Sequence, residues 1–175
     1  MTFRVDAPPD QPSITVWRTF AAPRERVFRA WTDAALLRRW LAPSPCVVVE
    51  AEADARVGGT YRIVVQSPDG VRHTTTGEYR EVDPPVRLVK TWVYEGPHHP
   101  VPYPTLVTVD FRETEDGGTE LKIRQDGLLT LVDRGGNGEG WRLCLENLER
   151  VLDMERDGGA RLPPHGDGRT AERLR

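Results

Sequence analysis

Apolar and polar residues alternate in seven short runs between residues 14 and 125. Only beyond residue 140 does the apolar spacing lengthen to that of a helix. Ile14–Phe20, Cys46–Ala51, Thr60–Gln66, His73–Val82, Arg87–Tyr94, Leu106–Thr114 and Glu120–Gln125 read as strands. Turn signals separate several of them, at Gly58-Gly59, Pro68-Asp69-Gly70, Pro84-Pro85 and Glu115-Asp116-Gly117-Gly118. After the first strand, Pro23 suits the first position of a helix whose face is Val27, Phe28 and Trp31. Thr32 or Asp33 can cap a second helix through Leu36, Leu37 and Trp40, which Pro43 and Pro45 end. From Gly140 to Leu152, Trp141, Leu145, Leu148 and Leu152 share one helical face. Asn137 can cap this helix, with the glycine-rich Gly135–Gly140 run as its lead-in loop. The predicted class is α+β: a curved antiparallel sheet of about six to seven strands wrapped around a long C-terminal helix, with two short helices after the first strand.

The ends break the pattern. Residues 1–12 hold Pro8, Pro9 and Pro12 and read as a flexible arm; residues 156–175, rich in glycine and proline, read as a disordered tail. The folded domain is expected over residues 13–155. A net charge of -3 with scattered arginines gives no basic face for nucleic acid or a membrane surface. Two distant cysteines, Cys46 and Cys144, do not make an extracellular disulfide framework. With no signal-peptide core and no membrane-length apolar stretch, a cytoplasmic location is expected.

Over Ile14 to Leu152 the chain resembles the START-like helix-grip superfamily (SRPBCC), in the branch named for the activator of the heat-shock-chaperone ATPase. The residues that carry the resemblance include Phe20-Ala21-Ala22-Pro23 with Val27-Phe28, Arg39-Trp40, and Arg56-Val57-Gly58-Gly59-Thr60-Tyr61. They continue through Gly77-Glu78-Tyr79, Pro84-Pro85-Val86-Arg87-Leu88-Val89 with Thr91-Trp92, Thr105 to Val109 with Phe111, and Gly140-Trp141. Two positions depart from the family pattern. Leu41 stands where a second aromatic is usual, and Gly136-Asn137-Gly138 where a histidine often occurs. Both are expected at the mouth of a cavity between sheet and final helix. The resemblance implies the helix-grip fold and, for function, hydrophobic-ligand carriage, cyclase chemistry or a chaperone co-factor role.

Strand parity places Val107, Val109 and Phe111 on the helix-facing side, with Leu121, Ile123 and Gln125. Tyr61 pairs with Ile63 in this sense, Tyr79 with Gly77, and Leu88 with Trp92. Trp40, Tyr61, Tyr79, Trp92, Gln125, Trp141 and Leu145 are therefore the candidate ligand-binding residues: aromatic walls with one amide to orient a ligand. Taken singly, each of the aromatics suits plain core better than a cavity wall. His98-His99 lack the cysteines or acids of a metal site, and His73 reads as an exposed or hydrogen-bonded strand residue. No nucleophile elbow, zinc spacing or P-loop is present, so no metal, cofactor or catalytic residue is expected. The leading expectation is binding of a small hydrophobic or aromatic molecule. The alternatives are an enzyme of cyclase or hydrolase type, with Gln125, Tyr79 and His73 as its polar groups, and a chaperone-interacting regulator of an ATPase. A homodimer through exposed strands is compatible with the sequence.

Overall fold

The structure, a computed structural model, describes residues 2–97 and 103–158. Eight strands form one antiparallel sheet: β1 (Phe3–Asp6), β2 (Ser13–Phe20), β3 (Val47–Ala53), β4 (Thr60–Gln66), β5 (Arg72–Asp83), β6 (Arg87–Glu95), β7 (Pro104–Glu113) and β8 (Thr119–Asp126). Their order across the sheet is β1-β2-β8-β7-β6-β5-β4-β3. Helices α1 (Arg24–Thr32) and α2 (Ala34–Trp40) lie between β2 and β3, and α3 (Leu131–Gly158) ends the described chain.

β2 lies near one edge of the sheet and β3 forms the other, so the α1–α2 connection must cross the sheet. Asp33 makes the corner: its carboxylate accepts from the backbone N–H of Ala35 at 2.9 Å and of Leu36 at 3.2 Å, capping α2. Bulges at Val48/Glu50 and Tyr79/Glu81 interrupt the register of the long outer strands, where such irregularities bend a strand and increase its twist. One continuous core joins the sheet to α1, α2 and the C-terminal part of α3, through Leu145, Leu148 and Leu152.

Three features differ from the sequence expectation. The sheet has eight strands, because residues 3–6 of the expected flexible arm pair with β2, Phe3 opposite Arg18 through Asp6 opposite Thr15. Backbone pairing to a neighbouring strand orders a segment that lacks its own hydrophobic periodicity. The final helix begins at Leu131, so the glycine run expected as a lead-in loop is helical. Its cap is Thr130, whose hydroxyl accepts from Asp133 N–H at 3.0 Å while the Asp133 carboxylate accepts from Thr130 N–H at 3.2 Å. That is a reciprocal capping box. The helix also runs past residue 155 to Gly158, whereas the rest of the expected tail and His98-His99 lie outside the described residues.

Candidate functional site

Between α3 and the sheet lies a cavity of about 530 Å³. α3 gives it one stripe at helical spacing: Asp133, Gly136, Asn137, Gly140, Trp141 and Cys144. Two of these six are glycines, and a Cβ at Gly136 or Gly140 would meet nothing within 4 Å, so the missing side chains leave room beside the helix. Val132 and Gly136 are exposed while Trp141, Cys144 and Gln125 are buried; the cavity therefore opens to solvent beside the first turns of α3.

The inner wall is built on Gln125 of β8. Its amide oxygen accepts from Trp141 Nε1–H at 3.0 Å, and its NH₂ donates to Thr105 Oγ1 at 3.0 Å. The Thr105 hydroxyl in turn donates to the Trp92 carbonyl at 3.0 Å. This chain ties three strands to α3 and fixes the Trp141 indole, which lies 5.2 Å from Trp92 between ring centroids. The amide carries two N–H groups, of which one is engaged by Thr105.

Of the residues singled out from the sequence, Trp92, Gln125 and Trp141 line the cavity. Trp40, Tyr61, Tyr79 and Leu145 are buried behind it. The six aromatics Trp40, Trp31, Trp141, Trp92, Tyr61 and Tyr79 form one array, with successive centroids 4.9, 5.6, 5.2, 6.3 and 5.5 Å apart. Trp40 donates to the Ala30 carbonyl at 2.9 Å and so locks α2 to α1. Tyr61 lies across β5 and donates to the Thr91 carbonyl at 2.6 Å. It can do so because its register partner is Gly77: a Cβ there would come within 2.6 Å of the Tyr61 ring. Burial raises both phenols, Tyr61 well above its ordinary value and Tyr79 to about 12, so both stay protonated.

Sequence reasoning left out Lys90, Ser67, Tyr94, Tyr103 and Asp133, and named His73 only for the enzyme alternative. Lys90 is fully buried within the array, its ammonium nitrogen 4.3 to 5.9 Å from the ring centroids of Trp31, Tyr61, Tyr79 and Trp92. At another wall of the cavity, Ser67, His73 and Tyr94 form a chain. Ser67 Oγ is 2.8 Å from His73 Nε2, and the Tyr94 hydroxyl is 2.6 Å from Nδ1. Cys46 Sγ stands 3.6 Å from Ser67 Oγ. Near the mouth, Tyr103 donates to the Asp133 carboxylate at 3.0 Å. A signal for several of these exists in the alternation itself. Extending the helix-facing rows gives Tyr61-Ile63-Val65-Ser67, His73-Thr75-Gly77-Tyr79 and Leu88-Lys90-Trp92-Tyr94. No cluster of metal-ligating side chains occurs among the described residues.

A family model described as Activator of Hsp90 ATPase homolog 1-like protein matches residues 21–153. The chain belongs to this family. Of the positions expected at the cavity mouth, Leu41, Gly136 and Asn137 line the cavity and Gly138 does not. Among solved structures of similar fold, a protein from Chromobacterium violaceum is 29% identical with a TM-score of 0.74, over 81% of this chain and 97% of that one. One from Nitrosomonas europaea is 25% identical with a TM-score of 0.72, over 86% and 99%. A protein from Silicibacter pomeroyi described as AHSA1 is 23% identical with a TM-score of 0.73, over 82% and 99%, and supports the fold alone. No curated protein sequence is significantly similar to the chain. No helix among the described residues is long and apolar enough to cross a membrane.

Proposed function

We propose that this protein binds a small, flat, largely apolar ligand in the cavity between α3 and the sheet. The observation that carries this reading is the Trp92–Trp141 pair held in place by Gln125, with one amide N–H left over to orient a bound molecule. A volume of about 530 Å³ is in the range of small-molecule sites. No arginine or lysine is among the described lining residues, so the site suits a neutral ligand better than an anion. Large apolar side chains exposed on the surface, such as Val47, Val57, Val86 and Leu129, come from separate elements and loops.

Calorimetric titration with 2-naphthol, a neutral aromatic alcohol of fitting size, tests the proposal. Binding is expected for the wild type. Gln125→Leu, which removes the amide donor and leaves the Trp141 N–H unpaired, is expected to weaken it about tenfold. Trp141→Ala should weaken it further than its own loss of stability explains. Unchanged affinity in a folded Trp141→Ala protein would place the ligand elsewhere.

A further inference from the structure

We propose that Ser67, His73 and Tyr94 form a hydrolytic acyl-transfer site at one wall of this cavity, with neutral aryl esters as the substrate class. The inference rests on the reading of the cavity as an aromatic-ligand site. The three residues come from two turns of the sheet meeting at one end. Ser67 follows β4 and His73 starts the inward row of β5 across the Pro68–Gly70 turn, with Val65 opposite His73. Tyr94 lies opposite Thr75 on β6. All three line the cavity.

The geometry is that of a nucleophile, a base and a group that orients the base. Ser67 Oγ lies 2.8 Å from His73 Nε2, and His73 Nδ1 lies 2.6 Å from the Tyr94 oxygen. The Cys46 thiol donates weakly to Ser67 Oγ across 3.6 Å. In the proposed reactive state the Ser67 hydroxyl donates to Nε2, and His73 carries its own proton on Nδ1, donated to Tyr94. Burial raises the Tyr94 phenol above its ordinary value, so it stays neutral as an acceptor. Space for the pair depends on Gly96, where a Cβ would come within 2.3 Å of the Tyr94 oxygen and 3.0 Å of His73 Nδ1. Cys46 hydrogen-bonds Ser67, and it is Ser67 that hydrogen-bonds the imidazole, so serine is the residue placed for attack.

In the first step Ser67 Oγ attacks the ester carbonyl carbon and its proton passes to His73 Nε2. The tetrahedral adduct collapses, the carbon–oxygen bond to the aryl group breaks, and the departing phenolate takes the proton from Nε2. This leaves an acyl-serine. Water then attacks the acyl carbon and gives its proton to Nε2, which returns it to Ser67 Oγ as the carboxylic acid leaves. The sum is ester plus water to acid plus phenol. Thr75, buried on the same inward row of β5, offers a hydroxyl donor on this wall for the developing oxyanion. Tyr94 is a positioning residue.

The test uses the full chain with three readouts: hydrolysis of 2-naphthyl acetate, intact-mass and peptide mapping after a fluorophosphonate probe, and calorimetric binding of 2-naphthol. Hydrolysis by the wild type is expected, with a probe adduct on Ser67. Ser67→Ala and His73→Gln should each lower kcat/KM about 100-fold or more while 2-naphthol binding persists. Tyr94→Phe should lower kcat with KM little changed and shift the acidic limb of the pH–rate profile. The location of the wild-type adduct needs no variant, so a misfolded Ser67→Ala protein would not block the test. Naphthol binding without hydrolysis above the Ser67→Ala level overturns this inference and leaves the binding reading standing. An adduct on Cys46 instead of Ser67 also overturns it. Absence of both binding and hydrolysis overturns both.

Discussion

Lys90 is the residue whose chemistry and surroundings agree least. Its amine is fully buried, lacks a hydrogen-bond partner among the described residues, and is enclosed by four aromatic rings. Two further buried polar atoms nearby in the array, Tyr79 Oη and Trp31 Nε1, are also unpartnered. Loss of hydration pushes the Lys90 amine down to about 7 from an ordinary 10.5, and the negative ring faces offset only part of that cost. The sign for stability follows. Between the two values the unfolded chain binds a proton that the folded chain does not, so stability should rise with pH across this window, by at most about 1.4 kcal/mol per pH unit. Below the folded value both states are protonated and the full cost of the buried charge is felt. Lys90→Met should therefore stabilise the protein at neutral pH by about 1–3 kcal/mol and flatten the rise on the alkaline side. Urea unfolding of both proteins at several pH values measures it. A rise of equal slope in the methionine variant would assign the pH dependence to other groups.

The same tension appears in α3 as an element. Gly135, Gly136, Gly138 and Gly140 sit in its first half, where each glycine costs about 1 kcal/mol relative to alanine. The helix forms because the Thr130–Asp133 box caps it and Trp141, Leu145 and Leu148 anchor its continuation in the core. Gly135 is exposed, does not line the cavity and has open space around its missing Cβ; Gly135→Ala should stabilise by about 0.5–1 kcal/mol with 2-naphthol binding unchanged. Gly140→Leu places a side chain in the cavity and should weaken that binding about tenfold without loss of stability. Equal affinity in the leucine variant would show that this stretch of helix does not face the ligand. These glycines also explain what could be read from the sequence and what could not. All seven strands with clear alternation, the two short helices and the Trp141–Leu152 face are visible because burial on one side imposes a period on the sequence. The start of α3 is hidden because its glycines serve the cavity and erase that period. β1 is hidden because it is held by backbone pairing. In the site, Trp92 and Gln125 follow from strand parity and Trp141 from helical spacing, whereas Lys90 and Ser67 occupy equally inward positions but carry polar side chains of the kind ordinarily assigned to solvent.

At the scale of the whole molecule, an open sheet closes on a helix only if both ends of that helix are held. The C-terminal part of α3 is fixed by its core face, by Arg18 paired with Glu149 at 2.5 Å, and by Arg26 donating to the Leu152 carbonyl at 2.8 Å. Its glycine-rich stretch over residues 132–140 contributes no side chain to that core and depends on the N-terminal segment instead. Buried Arg134 donates to the carbonyls of Pro8, at 2.7 Å, and Gln11. The backbone N–H groups of Gly127 and Leu128, just before the helix, donate to the Pro12 carbonyl at 2.9 and 2.8 Å. Residues 8–12 thus act as a strap joining β1, the end of β8 and the helix beside the cavity mouth. Arg134→Ala removes the hydrogen bonds that hold the strap to the helix and should cost about 1 kcal/mol. Its effect should be local, because the strap touches only one end of the structure. Hydrogen exchange is expected to speed up in residues 3–6 and 131–140 and to stay slow in β7, β8 and residues 145–152. An acceleration spread evenly over the sheet would mean instead that the strap and the core unfold as one unit, and that the mouth of the cavity has no stability of its own to lose.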